Sequence, residues 1–278
     1  MFTEEKWLIY ESDNKKHIYL DGFRIKAQND FQSGTTVLIQ GLGCESKIIW
    51  KNFLQSYKEI VTDRDIIGFD TRGIGQSEGK PISFQQMIDD IVFVLRQEKH
   101  PVQLVGHSLG GLLALKVAEQ IPNIIDNVVL VCSIPRYSDK AKSGFVWRAD
   151  EIAKHNSVDC IFEKVIPRSF SKNFIVNSSS SIKEFKAMLS RQNVSNYCKL
   201  SLIASKADSL NSFINVKVPI LMVVGNDDPS VTVEKSIEYA KKIDCPVEVI
   251  RNAGHNIPLE KPKELSQLIH RFYLNIKT

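Results

Sequence analysis

Short runs rich in β-branched and other apolar residues alternate along this chain with longer segments whose apolar positions recur every three or four residues, the pattern that βαβ units produce. The short runs predict strands at 6–10, 16–20, 36–40, 65–69, 102–105, 128–132, 220–224 and 247–250. The longer segments predict helices at 47–58, 83–97, 109–119, 232–242 and 260–274. Ile48, Ile49, Phe53 and Leu54 share one face of the first helix, and Ser83 reads as the N-cap of the second, ahead of a stripe of Met87, Ile88, Ile91, Val94 and Leu95. Central strands such as Val102-Gln103-Leu104-Val105 are apolar throughout instead of alternating, so helices are expected on both faces of the sheet. The expected architecture is three-layered α/β with a mainly parallel, eight-stranded sheet.

The alternation lapses between about residues 134 and 216, where no strong strand appears and helical spacing recurs at 150–153, 180–190 and 200–207. This stretch also holds Phe145, Trp147, Phe162, Phe170, Phe174, Phe185 and Tyr197. We therefore divide the chain into a core, 1–133 with 217–278, and an inserted helical cap, 134–216.

With 43% apolar and 24% charged residues among 278, the composition is that of a globular protein, and no apolar run approaches the roughly 20 residues of a membrane span. No integral membrane association is expected. Glu4 and Glu5 stand where a secretory signal would be basic, which predicts a cytosolic protein. The five cysteines (Cys44, Cys132, Cys160, Cys198, Cys245) lack metal-ligand spacing and read as reduced thiols, with no metal or other cofactor expected. The net charge of +4 is unevenly spread: residues 136–217 hold 14 Lys and Arg against 7 Asp and Glu, the rest of the chain 22 against 25. A basic cap suggests an anionic substrate or an acidic partner. Beyond modest basicity nothing points to nucleic acid.

The chemistry is concentrated at Gly106-His107-Ser108-Leu109-Gly110, directly after one predicted strand and before a helix, the setting of a GxSxG nucleophile elbow. A serine needs a base within hydrogen-bond reach. His255, after the last strand, is the candidate; His270 falls in the terminal helix, His155 in the cap, and His107 is expected to point away and pack. The orienting acid is sought after the seventh strand, where Asp227 and Asp228 compete; the position of Asp228 before Pro229 favours it. Oxyanion donors are expected from the amides of Leu109 and, in the loop Gln40-Gly41-Leu42-Gly43, of Leu42.

Taken together these segments resemble the α/β-hydrolase superfamily over nearly the whole chain. Asp70-Thr71-Arg72-Gly73-Ile74-Gly75-Gln76-Ser77 is similar to the family's DxRGxGxS turn, which the resemblance makes a buttress of the oxyanion loop. Gly254-His255 followed by Glu260-Lys261-Pro262 is similar to the family's ending around the base. Gln40-Gly41 departs from the His-Gly found in many relatives, which bears on the oxyanion loop. A serine nucleophile argues against the dehalogenase and epoxide-hydrolase branches, whose nucleophile is aspartate. The size and the end of the cap resemble compact serine esterases: 3-oxoadipate enol-lactonases and the esterases that release methyl pimeloyl from acyl carrier protein.

The resemblance implies a serine carboxylesterase with Ser108, Asp228 and His255 as its catalytic triad. The substrate would be a small ester, or one carried on acyl carrier protein or coenzyme A and held by Arg148, Arg168, Lys172 and Arg191. Enol-lactone hydrolysis, thioester hydrolysis and a non-catalytic ligand-binding role are the alternatives.

Overall fold

The computed structural model describes residues 3–11, 16–29, 33–98 and 101–277. Eight strands form one sheet: β1 (Thr3–Glu11), β2 (Lys16–Ile25), β3 (Gly34–Ile39), β4 (Arg64–Phe69), β5 (Val102–His107), β6 (Ile125–Val131), β7 (Ile220–Gly225) and β8 (Val247–Ile250). Their spatial order is β1-β2-β4-β3-β5-β6-β7-β8, antiparallel where β2 meets β1 and β4 and parallel elsewhere. All eight expected strands are present. β3, β4, β5 and β7 are buried along their full length, as continuous apolar runs covered on both faces must be.

Helices α1 (Ser46–Ile49) and α2 (Lys51–Ile60) follow β3, α3 (Phe84–Leu95) follows β4, and α4 (Leu109–Gln120) follows β5. Between β6 and β7 lie α5 (Asp139–His155), α6 (Phe162–Ser169), α7 (Lys172–Asn177), α8 (Ser179–Ser190), α9 (Val194–Lys206) and α10 (Leu210–Asn215). The chain closes with α11 (Val233–Ala240) after β7, then α12 (Ile257–Glu260) and α13 (Pro262–Asn275) after β8.

Ser83 caps α3 as its sequence suggests, accepting the Gln86 amide at 3.1 Å. Two expected helices prove to be interrupted. The first breaks at Trp50, whose side chain is fully buried and whose φ/ψ of −94°/−2° ends α1 before α2 begins. The last breaks at Lys261, which has a φ of −136° and stands directly before Pro262; the residue before a proline is driven out of helical geometry. In the helical stretch between β6 and β7, expected helix 150–153 is a fragment of the much longer α5. This stretch packs around its own aromatics, with Phe170 against both Phe174 and Phe185. Among the described residues no helix is long and apolar enough to cross a membrane.

Candidate active site

β5 ends in His107, and α4 starts at Leu109, so Ser108 alone makes the turn between them. Its φ/ψ of 52°/−118° is a conformation that side chains other than glycine rarely adopt, at a cost of about 1–3 kcal/mol. The surroundings hold it there. The Ser108 amide donates to the Val131 carbonyl at 2.9 Å, and its own carbonyl accepts from the Gly111 amide at 3.0 Å and the Ser133 hydroxyl at 2.7 Å. The flanking glycines are required by close approach: a Cβ on Gly106 would fall 2.5 Å from the Gly111 Cα.

The turn presents Ser108 Oγ 3.0 Å from His255 Nε2, and His255 Nδ1 lies 2.6 Å from Asp228 Oδ2. Of the two competing aspartates, Asp227 is exposed, whereas Asp228 is buried with its second oxygen accepting the amides of Ser230 (2.7 Å) and Val231 (3.0 Å). Burial alone would raise the Asp228 carboxyl, but the adjacent His255 ring and these two amides outweigh it and hold the group below its ordinary value. An ionised Asp228 fixes the proton on His255 Nδ1, which leaves Nε2 free to accept from Ser108. His155 and His270 are not part of this arrangement.

His107 does more than pack. Its Nε2 lies 2.9 Å from the His255 carbonyl oxygen, and burial lowers its pKa to about 3, so the ring is neutral. A carbonyl only accepts, so Nε2 carries the proton and donates. The Glu260 carboxylate accepts the Gly254 amide at 3.0 Å and the Ser171 amide at 3.1 Å, while the Asn256 side chain donates to the Ser169 carbonyl at 3.1 Å. The loop bearing His255 is thereby stitched to the junction of α6 and α7. Spacing alone offers no signal for His107, Ser133 or Asn256; Glu260 was visible only through the resemblance.

The Leu42 amide makes no backbone hydrogen bond among the described residues, and the Leu109 amide opens α4, where N–H groups have no helical partner. Both are available as donors. The turn at Asp70 ties to the start of α1 and to α3: Asp70 accepts the Ser46 amide at 2.5 Å, its carbonyl accepts the Ser77 hydroxyl at 2.8 Å, and Arg72 pairs with Asp90 at 2.6 Å. Gln40 is buried and neither of its amide atoms has a partner among the described residues.

The four cations singled out between β6 and β7 are not brought into one cluster as functional equals. Arg191 is committed to Glu45, Arg168 and Lys172 are exposed, and Arg148 alone turns inward, beside Tyr197. One group of potential metal ligands occurs among the described residues, Cys132, Asp228 and His255, within 4.8 Å of one another. Two of these three are already hydrogen-bonded to each other.

A family model for the alpha/beta hydrolase fold matches residues 36–262. The chain belongs to that family. Among relatives, (E)-2-((N-methylformamido)methylene)succinate hydrolase of Acinetobacter baylyi is 24% identical over 237 residues, covering 83% of this chain and 87% of the relative. The 3-oxoadipate enol-lactonase 2 of the same organism is 21% identical over 208 residues, covering 73% and 76%. A thermophilic esterase from Thermogutta terrifontis, solved with malate bound, superposes with a TM-score of 0.85 at 22% identity, covering 99% of this chain and all of that one. The esterase shares the fold described above.

Proposed function

We propose that this chain is a serine hydrolase of small carboxylic esters that works through an acyl-enzyme. The observation that carries the reading is the unbroken relay from Asp228 through His255 to Ser108, ending on a strained serine at a helix N-terminus. Ser108 Oγ attacks the ester carbonyl carbon while its proton passes to His255 Nε2, and the resulting imidazolium is stabilised by Asp228. The Leu42 and Leu109 amides receive the charge that develops on the carbonyl oxygen. As the C–O bond breaks, His255 returns the proton to the leaving alcohol. Water then gives a proton to the same nitrogen as it attacks the acyl carbon; the bond from that carbon to Ser108 Oγ breaks, His255 returns the proton to Oγ, and the acid leaves.

An enol-lactone would follow the same steps, with the leaving oxygen kept in the product because the ring opens. Similarity to a protein named 3-oxoadipate enol-lactonase favours this second reading. In either case residues 134–216 act as a cap over the site, with the remainder as the core. A substrate borne on acyl carrier protein or coenzyme A draws its support from the exposed Arg168 and Lys172. The five free cysteines are in keeping with a reducing, cytosolic setting.

Ser108→Ala tests the reading. Turnover of a short p-nitrophenyl ester should fall by about 10³-fold or more, and labelling by a fluorophosphonate should vanish. A variant as active as the native chain would rule out Ser108 as nucleophile.

A further inference from the structure

Arg148, on α5, is a half-buried guanidinium with no carboxylate partner among the described residues. Among the described residues its enclosed Nε is unpaired, and its single hydrogen bond is a long one, 3.5 Å from Nη1 to the Tyr197 hydroxyl. It also lies over the Phe145 ring, 5.6 Å from the centroid. Charges removed from water are ordinarily paired, because an uncompensated one costs several kcal/mol. Three other buried or part-buried arginines each have a carboxylate: Arg72 has Asp90, Arg24 has Glu5, Asp65 and Glu98, and Arg64 has Asp126 at 3.7 Å. Glu45, two residues after the oxyanion loop, is held by Arg191 and Gln192 and is not available to Arg148.

The surroundings of Arg148 are those of Ser108. Tyr197 packs its ring against Gly43 of the oxyanion loop, so closely that a Cβ there would collide with it. Tyr137, 7% exposed, lies beside the Ser108 side chain, feels the Arg148 charge, and has a hydroxyl without a partner among the described residues. Burial pushes the Cys44 thiol up to about 12, with Arg148 near enough to pull against it. A half-buried cation and two phenols thus stand together, with Tyr197 against Gly43 of the oxyanion loop and Tyr137 beside Ser108.

Resting on the serine-hydrolase reading above, we propose that Arg148, with the Tyr137 and Tyr197 hydroxyls, forms a carboxylate subsite, so that the preferred substrate is a small ester or lactone bearing a second, ionised carboxyl group. A planar guanidinium matches the two oxygens of a carboxylate, and one positive charge balances a monoanion. The subsite also accounts for why this cation turns inward while Arg168 and Lys172 are exposed: it selects among small substrates beside Ser108.

The test compares substrates matched in shape. Monomethyl succinate is set against methyl levulinate, in which a methyl ketone replaces the carboxylate; acetoxypropanoate against acetoxybutanone places the charge on the alcohol side. The native chain should favour the charged member of at least one pair by about 10- to 100-fold in kcat/KM. Arg148→Gln should collapse that ratio, and Arg148→Lys should restore part of it. Ratios near one in both pairs for the native chain, or a preference that survives in Arg148→Gln, would overturn the subsite. Calorimetric binding of glutarate to Ser108→Ala reads the subsite without turnover; binding that is absent, or that persists when Arg148→Gln is added, overturns it as well. Failure of the nucleophile assignment shows separately, as continued turnover of methyl levulinate by Ser108→Ala.

Discussion

The ring of His107 donates from Nε2 to the backbone carbonyl of His255 across 2.9 Å, so the residue preceding Ser108 holds the main chain of the histidine we propose as its base. The two residues are 148 positions apart in the chain. His107 also meets Trp50 edge-on and its Nδ1 is enclosed, which is why its ring resists protonation.

That resistance has a consequence for acid stability. A histidine lowered from 6.5 to about 3 binds its proton in the unfolded chain before it does so in the native one. Its contribution is full above the unfolded value and drains as pH falls through the window between 6.5 and about 3, at up to about 1.4 kcal/mol per pH unit. His107→Phe keeps an aromatic ring and removes the titration. Between pH 7 and pH 5 the urea midpoint should therefore fall more steeply for the native chain than for the variant; parallel losses would show that His107 is not buried as a neutral ring.

Asp228→Asn and Asp227→Asn should separate sharply. The first leaves the shape of the site intact but replaces an acceptor facing His255 Nδ1 with an amide that can donate, favouring the wrong tautomer. We expect kcat to drop by about 10³- to 10⁴-fold. The Asp227 side chain is exposed, and its variant should stay within about threefold of the native rate on the same p-nitrophenyl ester. Equal losses in the two variants would reopen the choice of acid.

Glu260→Ala should loosen the base loop from the α6–α7 junction by leaving the Gly254 and Ser171 amides without their acceptor. A loss of about 2 kcal/mol in unfolding free energy is expected, together with a fall in kcat, because Gly254 adjoins His255. Glu260→Gln keeps one acceptor oxygen for the two amides, which different oxygens of Glu260 serve, and should recover only part of the loss. Urea unfolding and steady-state kinetics on the three proteins would settle the point.

Gln40→Leu should be neutral or stabilising by about 1 kcal/mol. The native side chain is buried with both amide atoms unpaired among the described residues, and an apolar group of similar size removes that penalty. A chemical-denaturation midpoint well below that of the native chain would reveal a partner for this amide in solution.

The sequence by itself determined the eight strands, because each is a short β-branched run bounded by turn residues, and it placed Ser108 in the turn between the fifth strand and the helix that follows. It also singled out Ser108, Asp228 and His255, in that order along the chain, as candidates. Those features are written locally, in periodicity and in the small residues that a tight turn demands. Helix interruptions at Trp50 and Lys261 were less legible, since burial of one large ring and the approach to Pro262 override a pattern that is otherwise continuous. Tertiary structure alone decided which aspartate is buried against His255, that His107 reaches the His255 carbonyl, and that Arg148 faces inward while Arg191 is taken by Glu45. Each of these depends on a hydrogen bond or an enclosure supplied by residues far away in the chain. Two neighbouring aspartates, or four arginines and lysines in one helical stretch, look alike until the fold removes water from one and leaves it around the others.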